Sequence, residues 1–469
     1  MLPLPAGEGW GEGERPQTTR CATTHFAPFS KKISHATFLH AELGLPHRDN
    51  YSPAMSRPEK FSRPAAHSRR DFLQRAALAV AAAPLLPGAL AAADDVVTLP
   101  FDNGERPLVK YPQKRPLIRL TTRPPQLETP FSVFNESVLT PNDAFFVRYH
   151  LTISPPPMTV LDKFQLEIKG NVKTPLTLSV ADLKTKFEQV EVVAVNQCSG
   201  NSRGLSEPRV PGGQAAHGFM GNARWRGVRL KDVLDQAGVG AGAKQVTFRG
   251  LDRSLVKGTP DFIKALDIDQ ARDGEVLLAH TMNGEELPIL NGWPLRLVVP
   301  GHYGTYWVKH VNEITVIDEI FSGFWMGTAY RIPDNASGCI APGTAPGKTV
   351  PIMRFNVRSF ITSLSEGSTL KVGQPVTVRG IAFDSGHGMA EVVFSDDGGR
   401  SWRRAELGPD LGKYSFREWT INFTPSRAGV LELKAKATTR IGQSQPLEAL
   451  WNPAGYLRNV VETVRVTAV

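Results

Sequence analysis

The chain has 469 residues, enough for two or three domains, and its 41% hydrophobic and 21% charged content excludes a disordered polypeptide and describes a protein with a real core. Its formal charge of +9 lies partly in residues 1–93; beyond them 43 basic side chains face 38 acidic ones. So mild a surplus, with no Lys/Arg cluster interleaved with aromatics, argues against nucleic acid and suits a small anion or an acidic partner.

The three cysteines, Cys21, Cys198 and Cys339, form no C-x-x-C pair and no C-x-x-C-H, so neither a zinc ribbon nor a covalently attached c-type haem is expected. A Cys198–Cys339 disulfide stays open as an alternative to a free thiol at Cys198.

Residues 1–54 are rich in Gly, Pro, Glu and Ser without periodicity and read as disordered, or as sequence upstream of the true start at Met55. A complete export signal over residues 55–93 then follows. It comprises the twin-arginine motif Ser68-Arg69-Arg70-Asp71-Phe72-Leu73, a short apolar segment from Ala76 to Leu86 and an A-x-A site at Ala89-Leu90-Ala91. Pro84 and Pro87 interrupt the apolar run, and no other stretch approaches about 18 apolar residues, so no membrane span is expected. The expected location is the periplasm, reached by the twin-arginine route with the chain already folded.

Residues 94–130, rich in Pro and Arg, read as an extended arm. Phe145-Phe146-Val147-Arg148-Tyr149-His150 reads as a short strand with Arg148 and His150 on one face, suited to a phosphate or another oxyanion, or else as a half-exposed edge strand. Strands are expected at Phe164–Ile168 and Val190–Val195. The β-branched run from Val192 ends in a polar loop, Cys198-Ser199-Gly200-Asn201-Ser202-Arg203. A soft thiol, two small residues and a guanidinium five positions on suit a soft metal holding an oxyanion; the bland alternative is a buried cysteine beside a surface arginine.

Val228–Ala237 is expected to be an amphipathic helix with Gly238 as its stop, followed by strands at Gln245–Phe248 and Glu275–Ala279. Pro294–Gly301 reads as a buried strand carrying Arg296, expensive to bury without an anion or carboxylate. Gly301–His310 combines glycines, aromatics and Lys309 and suits a flat phosphorylated ligand, or else is a plain loop and strand, and Tyr330 stands isolated in a loop. Residues 338–352 look like a linker. After it, Pro375–Gly380, Glu391–Ser395 with the turn Asp396-Asp397-Gly398-Gly399, and Leu431–Ala437 alternate in the manner of an immunoglobulin-like sandwich.

Together these motifs resemble the sulfite oxidase family of molybdenum enzymes, most nearly its bacterial periplasmic sulfite dehydrogenases. The resemblance spans residues 130–469. It rests on Phe145–His150, Gln197-Cys198-Ser199-Gly200-Asn201, Gly221-Asn222-Ala223-Arg224-Trp225, Gly227–Leu230, Gly250-Leu251-Asp252, Val299-Pro300-Gly301 and Trp307-Val308-Lys309. It implies an α+β fold: a mixed α/β molybdopterin-binding domain over residues 94–345, then an all-β immunoglobulin-like dimerisation domain over residues 350–469. Cys198 would be the protein thiolate on molybdenum. Phe146, Val147, Arg148, His150, Asp252, Arg296, Trp307, Val308 and Lys309 would hold the molybdopterin and its phosphate. Arg148, Arg203, Tyr330 and Arg458 would line the sulfite pocket. Residues 94–130 are too short for the haem domain of animal members, so no haem is expected in this chain.

The implied activity is molybdenum-dependent oxidation of sulfite to sulfate, with electrons passed singly to a c-type cytochrome that could be a dedicated haem subunit, and with a homodimer formed through the C-terminal domain. Reduction of methionine sulfoxide, or oxidation of another small sulfur compound, is the alternative on the same scaffold. A non-catalytic secreted β-sandwich binding protein is the alternative from another class.

Overall fold

The computed structural model describes residues 95–153, 163–254 and 256–469. The expected start site and export signal lie outside the described residues.

The Pro- and Arg-rich arm is not merely extended. Val96–Thr98, Glu105–Val109, Leu117–Thr121, Gln126–Glu128 and Val147–Arg148 pair in that order as an antiparallel five-stranded sheet. Leu117, Leu127, Val147 and Tyr149 form its small core. The expected strand over Phe145–His150 is therefore shorter. The ladder holds Val147 and Arg148, and the chain leaves it before His150.

Two further five-stranded sheets carry the centre of the molecule. In one, Glu285–Glu286, Leu277–Met282, Met220–Arg229 and Val190–Gln197 run antiparallel, and Arg296–Val298 adds to the Leu277–Met282 strand. In the other the order is Ile263–Asp267, Gln245–Gly250, Val311–Ile317, Leu166–Gly170 and Leu176–Leu178, with the Val311–Ile317 and Leu166–Gly170 strands parallel. The helix Leu230–Ala237 buries Leu230, Val233, Leu234 and Ala237 and ends at Gly238 with φ 69°. It starts two residues later than the periodicity suggests, because Val228 and Arg229 pair with Leu278 and Leu277 in the sheet. Trp225 is fully buried among these sheets and donates its indole N–H to Ala194 O at 3.0 Å. Burial of so large an apolar side chain contributes on the order of 3 kcal/mol.

The stretch taken as a linker is partly structured, since Thr349–Pro351 pairs with Arg331–Pro333. Beyond it two sheets face each other. Arg358–Ile361, Val376–Phe383, Arg417–Phe423 and Glu406–Leu407 form one. Thr369–Leu370, Thr463–Ala468, Gly429–Thr439, Met389–Ser395 and Arg403–Arg404 form the other. Along Gly429–Thr439 the alternation is strict, with Leu431, Leu433, Ala435 and Ala437 turned inward against Val378, Phe394 and Trp419. The architecture is the α+β arrangement expected, a mixed domain followed by an all-β sandwich.

Candidate active site

The Val190–Gln197 strand pairs antiparallel with Met220–Arg229 and is buried on both faces from Val193 onward. Where it ends, the Cys198 N–H donates to Phe219 O at 2.9 Å, and the Asn201 N–H turns back to Cys198 O at 3.0 Å. The Asn201 side-chain oxygen accepts from the Phe219 N–H at 3.0 Å and fixes the loop. Cys198 is half-buried with a free thiol, and Cys339 is free as well, so the disulfide alternative is not formed.

The thiol lines a pocket whose walls come from six segments. Phe146, Arg148 and His150 lie at the last strand of the N-terminal sheet, Asn196 and Cys198 end their strand, Asn291 precedes and Arg296 opens the Arg296–Val298 strand, Thr305, Trp307 and Lys309 follow it, and Phe262 and Tyr330 complete the lining. Among the described residues no carboxylate lines this pocket, while Arg148, Arg296 and Lys309 do. Its field is therefore positive.

Burial shapes each of these groups. Arg296 is 4% exposed, lies beside the rings of Trp225 and Trp307 at 5.3 and 5.7 Å, and donates to Asn291 O at 2.7 Å. Burial lowers its guanidinium to about 10. Lys309 donates to Arg148 O at 2.7 Å and lies 4.4 Å from the Tyr149 ring centroid. Burial lowers its ammonium to about 7, the Arg296 charge adding to the effect and Asp252 opposing it. His150 stacks on Phe262 at 4.2 Å and hydrogen-bonds the Tyr330 hydroxyl. Burial, then Arg148 and Lys309, hold its pKa well below the ordinary imidazole value, so it is neutral at physiological pH. Burial raises the Tyr330 phenol, leaving it a proton donor.

Most residues singled out from the sequence converge here, but not all. Val147 and Val308 are 1% exposed and turn their side chains into the core. Asp252 lies outside the pocket wall on a short strand paired with Thr152–Ile153, facing Lys309 electrostatically. Arg203 does not line the pocket and lies behind Tyr330, against Tyr456. Its Nε donates to Ala454 O at 2.9 Å, and its guanidinium lies 5.0 Å from the Tyr456 ring centroid. Arg458 does not reach the pocket. Its guanidinium is bound to Glu462 at 3.0 and 3.1 Å and to Leu205 O at 3.0 Å.

The wall residues Phe262 and Asn291, and two residues behind the wall, had no sequence signal. Lys114, in the proline-rich arm, holds Asn291 Oδ1 at 2.6 Å, and Tyr456 stacks on Tyr330 at 5.7 Å.

Around Cys198 the structure leaves buried polar atoms without partners: both amide atoms of Asn196, Gln197 Oε1, Ser199 Oγ, Asn201 Nδ2, Arg296 Nε and Thr305 Oγ1. Each such atom costs about 1–3 kcal/mol if nothing hydrogen-bonds it. A cluster of them beside three cations fits a polar, phosphorylated ligand. No group of three or more His, Cys, Asp or Glu side chains converges among the described residues. The resemblance implies a molybdopterin, whose dithiolene would bring further soft sulfur donors to a metal held by the one protein thiol. The residues fit that group.

The comparisons with known proteins agree with this geometry. Residues 153–325 match the oxidoreductase molybdopterin binding domain, and residues 349–468 the Mo-co oxidoreductase dimerisation domain. The chain is 32% identical to sulfite oxidase of Gallus gallus over 372 residues, covering 76% of this chain and 79% of that protein. It is 31% identical to sulfite oxidase of Arabidopsis thaliana over 384 residues, covering 76% of this chain and 96% of the relative. The sulfane dehydrogenase SoxCD from Paracoccus pantotrophus shares the fold, with a TM-score of 0.61 at 23% identity, over 83% of this chain and 92% of that one. With a free thiol in a cationic pocket that no carboxylate of the described residues lines, and relatives matched over most of their length, the chain belongs to the sulfite oxidase family of molybdenum oxidoreductases.

Proposed function

We propose that this protein oxidises sulfite to sulfate at the Cys198 pocket and passes the two electrons singly to a c-type cytochrome. The observation that carries the reading is a pocket with one thiol at its base, cations on its walls and no carboxylate lining it among the described residues. Such a field favours a small dianion over neutral sulfur compounds. A bound molybdenum cofactor supplies an oxygen atom and accepts two electrons, chemistry no side chain offers.

The chain's own residues place and charge-match the substrate. Arg148 and Arg203 hold the sulfite oxygens by charge-assisted hydrogen bonds of about 1.5–3 kcal/mol each. Tyr330 donates its hydroxyl proton to the substrate, and neutral His150, in the tautomer that carries its proton on Nε2, donates to the Tyr330 oxygen and keeps the hydroxyl aimed. Lys309, Arg296 and Asn291 serve the phosphate end. The balance is sulfite plus water giving sulfate, two protons and two electrons.

Export through the twin-arginine route to the periplasm suits a protein that folds around a cofactor first. A homodimer through the C-terminal sandwich suits the dimerisation-domain match over residues 349–468. The test is purified protein assayed for molybdenum, then for sulfite-dependent reduction of cytochrome c beside reduction of methionine sulfoxide. Molybdenum with sulfite turnover supports the reading; sulfoxide reduction without sulfite turnover replaces it.

A further inference from the structure

We propose that Tyr456, on the C-terminal strap Asn452–Leu457, is a positioning residue that sets the Arg203 guanidinium for an oxyanion. The inference rests on the sulfite reading and deepens it.

Three observations meet at Tyr456. Its ring stacks on Tyr330 with centroids 5.7 Å apart and planes 8° from parallel. The Arg203 guanidinium carbon sits 5.0 Å from the centroid of the same ring. Arg203 Nε donates to Ala454 O, two residues earlier, at 2.9 Å. One aromatic side chain from the last 14 residues thus touches one substrate-pocket group, Tyr330, and holds Arg203.

The strap is built to stay where it is. Asn452 is 1% exposed; its Nδ2 donates to Tyr456 O at 2.6 Å, and its Oδ1 accepts from the Ala454 and Tyr456 N–H groups at 3.2 and 3.1 Å. The Trp451 indole donates to Pro208 O at 2.7 Å, and Trp451 O accepts from the Ile340 N–H at 2.9 Å. Gly455 has φ +61°, and a Cβ there would lie 2.8 Å from Arg203 Cγ and 2.6 Å from Val210 Cγ2. Gly200 and Gly212 pass equally close, since a Cβ on either would come within 2.9 and 2.6 Å of the Arg203 side chain. Arg203 is therefore threaded through a slot of three glycines and covered by the Tyr456 ring. A long, flexible side chain held this way loses its rotamer entropy before substrate arrives.

The hydroxyl is not needed for this role; the ring face is. The experiment uses the molybdenum-loaded full-length protein, with sulfite kinetics read by ferricyanide reduction and sulfate binding read by calorimetry. Tyr456→Leu is expected to raise the sulfite KM and the sulfate Kd by about tenfold each, with kcat within about twofold, as for loss of a desolvated cation–π contact. Tyr456→Phe, which keeps the ring, stays within about twofold of the parent on both readouts. Gly455→Ala keeps the ring but crowds Arg203, and is expected to follow Tyr456→Leu; it decides the question if the leucine variant does not fold.

An unchanged sulfate Kd in Tyr456→Leu, a phenylalanine variant as impaired as the leucine one, or a parent protein that binds no sulfate overturns the proposal. If the parent binds sulfate but does not oxidise sulfite, the sulfite reading fails alone, and the calorimetry still decides the role of the strap.

Discussion

Lys114 Nζ donates to Asn291 Oδ1 at 2.6 Å across 177 residues of sequence, tying the N-terminal sheet to the wall of the pocket. The same ammonium holds Asn142 O at 2.6 Å and Phe145 O at 3.0 Å, and Asn291 Nδ2 in turn donates to Phe146 O at 3.0 Å. A 3%-exposed lysine with no carboxylate partner among the described residues is costly, and burial lowers its pKa to about 7. Lys114→Met keeps the volume but leaves three oxygens unpaired, at about 1–3 kcal/mol each. The expected result is a melting temperature lower by several degrees and a reduced molybdenum content, read by calorimetry and elemental analysis. A variant as stable and as metal-replete as the parent would show that the clamp is dispensable.

Cys198→Ser tests the ligand. The thiol is half-buried, makes no disulfide and packs at the edge of the main core, so an oxygen in place of sulfur should leave the fold intact. Turnover is expected to vanish while the far-UV and near-UV circular dichroism match the parent. Full activity in a metal-replete Cys198→Ser preparation would refute the assignment.

Arg148→Gln tests the anion site. Arg148 lines the pocket and is bound to the backbone oxygen of Tyr149 at 2.5 Å, with no carboxylate partner among the described residues. Removing the charge removes one charge-assisted bond to substrate. A rise in the sulfite KM of about 10–100-fold is expected from that loss. The thermal transition should move little. A KM that stays put across pH 6–9 would count against the role.

Much of the centre was legible because its signals are local. The Val192–Val195 run, the Cys198 loop, the Leu230–Ala237 helix and the alternation along Gly429–Thr439 each declare themselves within one window. What stayed hidden depends on contacts between distant segments. Proline and arginine masked the alternation of the first four strands, whose pairing is set by the sheet they build together. Lys114 looks like any surface lysine until Asn291 is brought to it. In the strap, Gly455 and Leu457 both have positive φ, at 61° and 63°, so no period of two or 3.6 indicates which neighbour faces inward. Charge alone favours Arg458; the backbone instead turns Tyr456 to the pocket and Arg458 to Glu462.

That reversal yields a discriminating variant. Arg458 and Glu462 are 15% and 18% exposed, and breaking so buried a pair costs about 3–5 kcal/mol at most, less here because Arg358 remains 3.5 Å from the same carboxylate. Arg458→Ala is therefore expected to lower the denaturation midpoint clearly while leaving the sulfite KM within about threefold of the parent, since no charge-assisted bond to the anion is lost. A large KM increase at unchanged stability would return Arg458 to the pocket.

Glu128 gives a pH dependence with a definite sign. Its carboxyl is 1% exposed, accepts from the Gly218 and Ala216 N–H groups at 2.8 and 3.2 Å, and is raised by burial from 4.5 to about 7. Between these two values the folded chain binds the proton that the unfolded chain has released. Stability therefore falls as pH rises across that window, and the loss is complete above the folded value. Glu128→Gln retains an oxygen for the Gly218 N–H and has no proton to lose. The difference in melting temperature between variant and parent should accordingly grow from pH 5 to pH 8 in the variant's favour. Parallel melting curves for the two proteins across that range would mean that Glu128 is ionised in the fold at every pH tested.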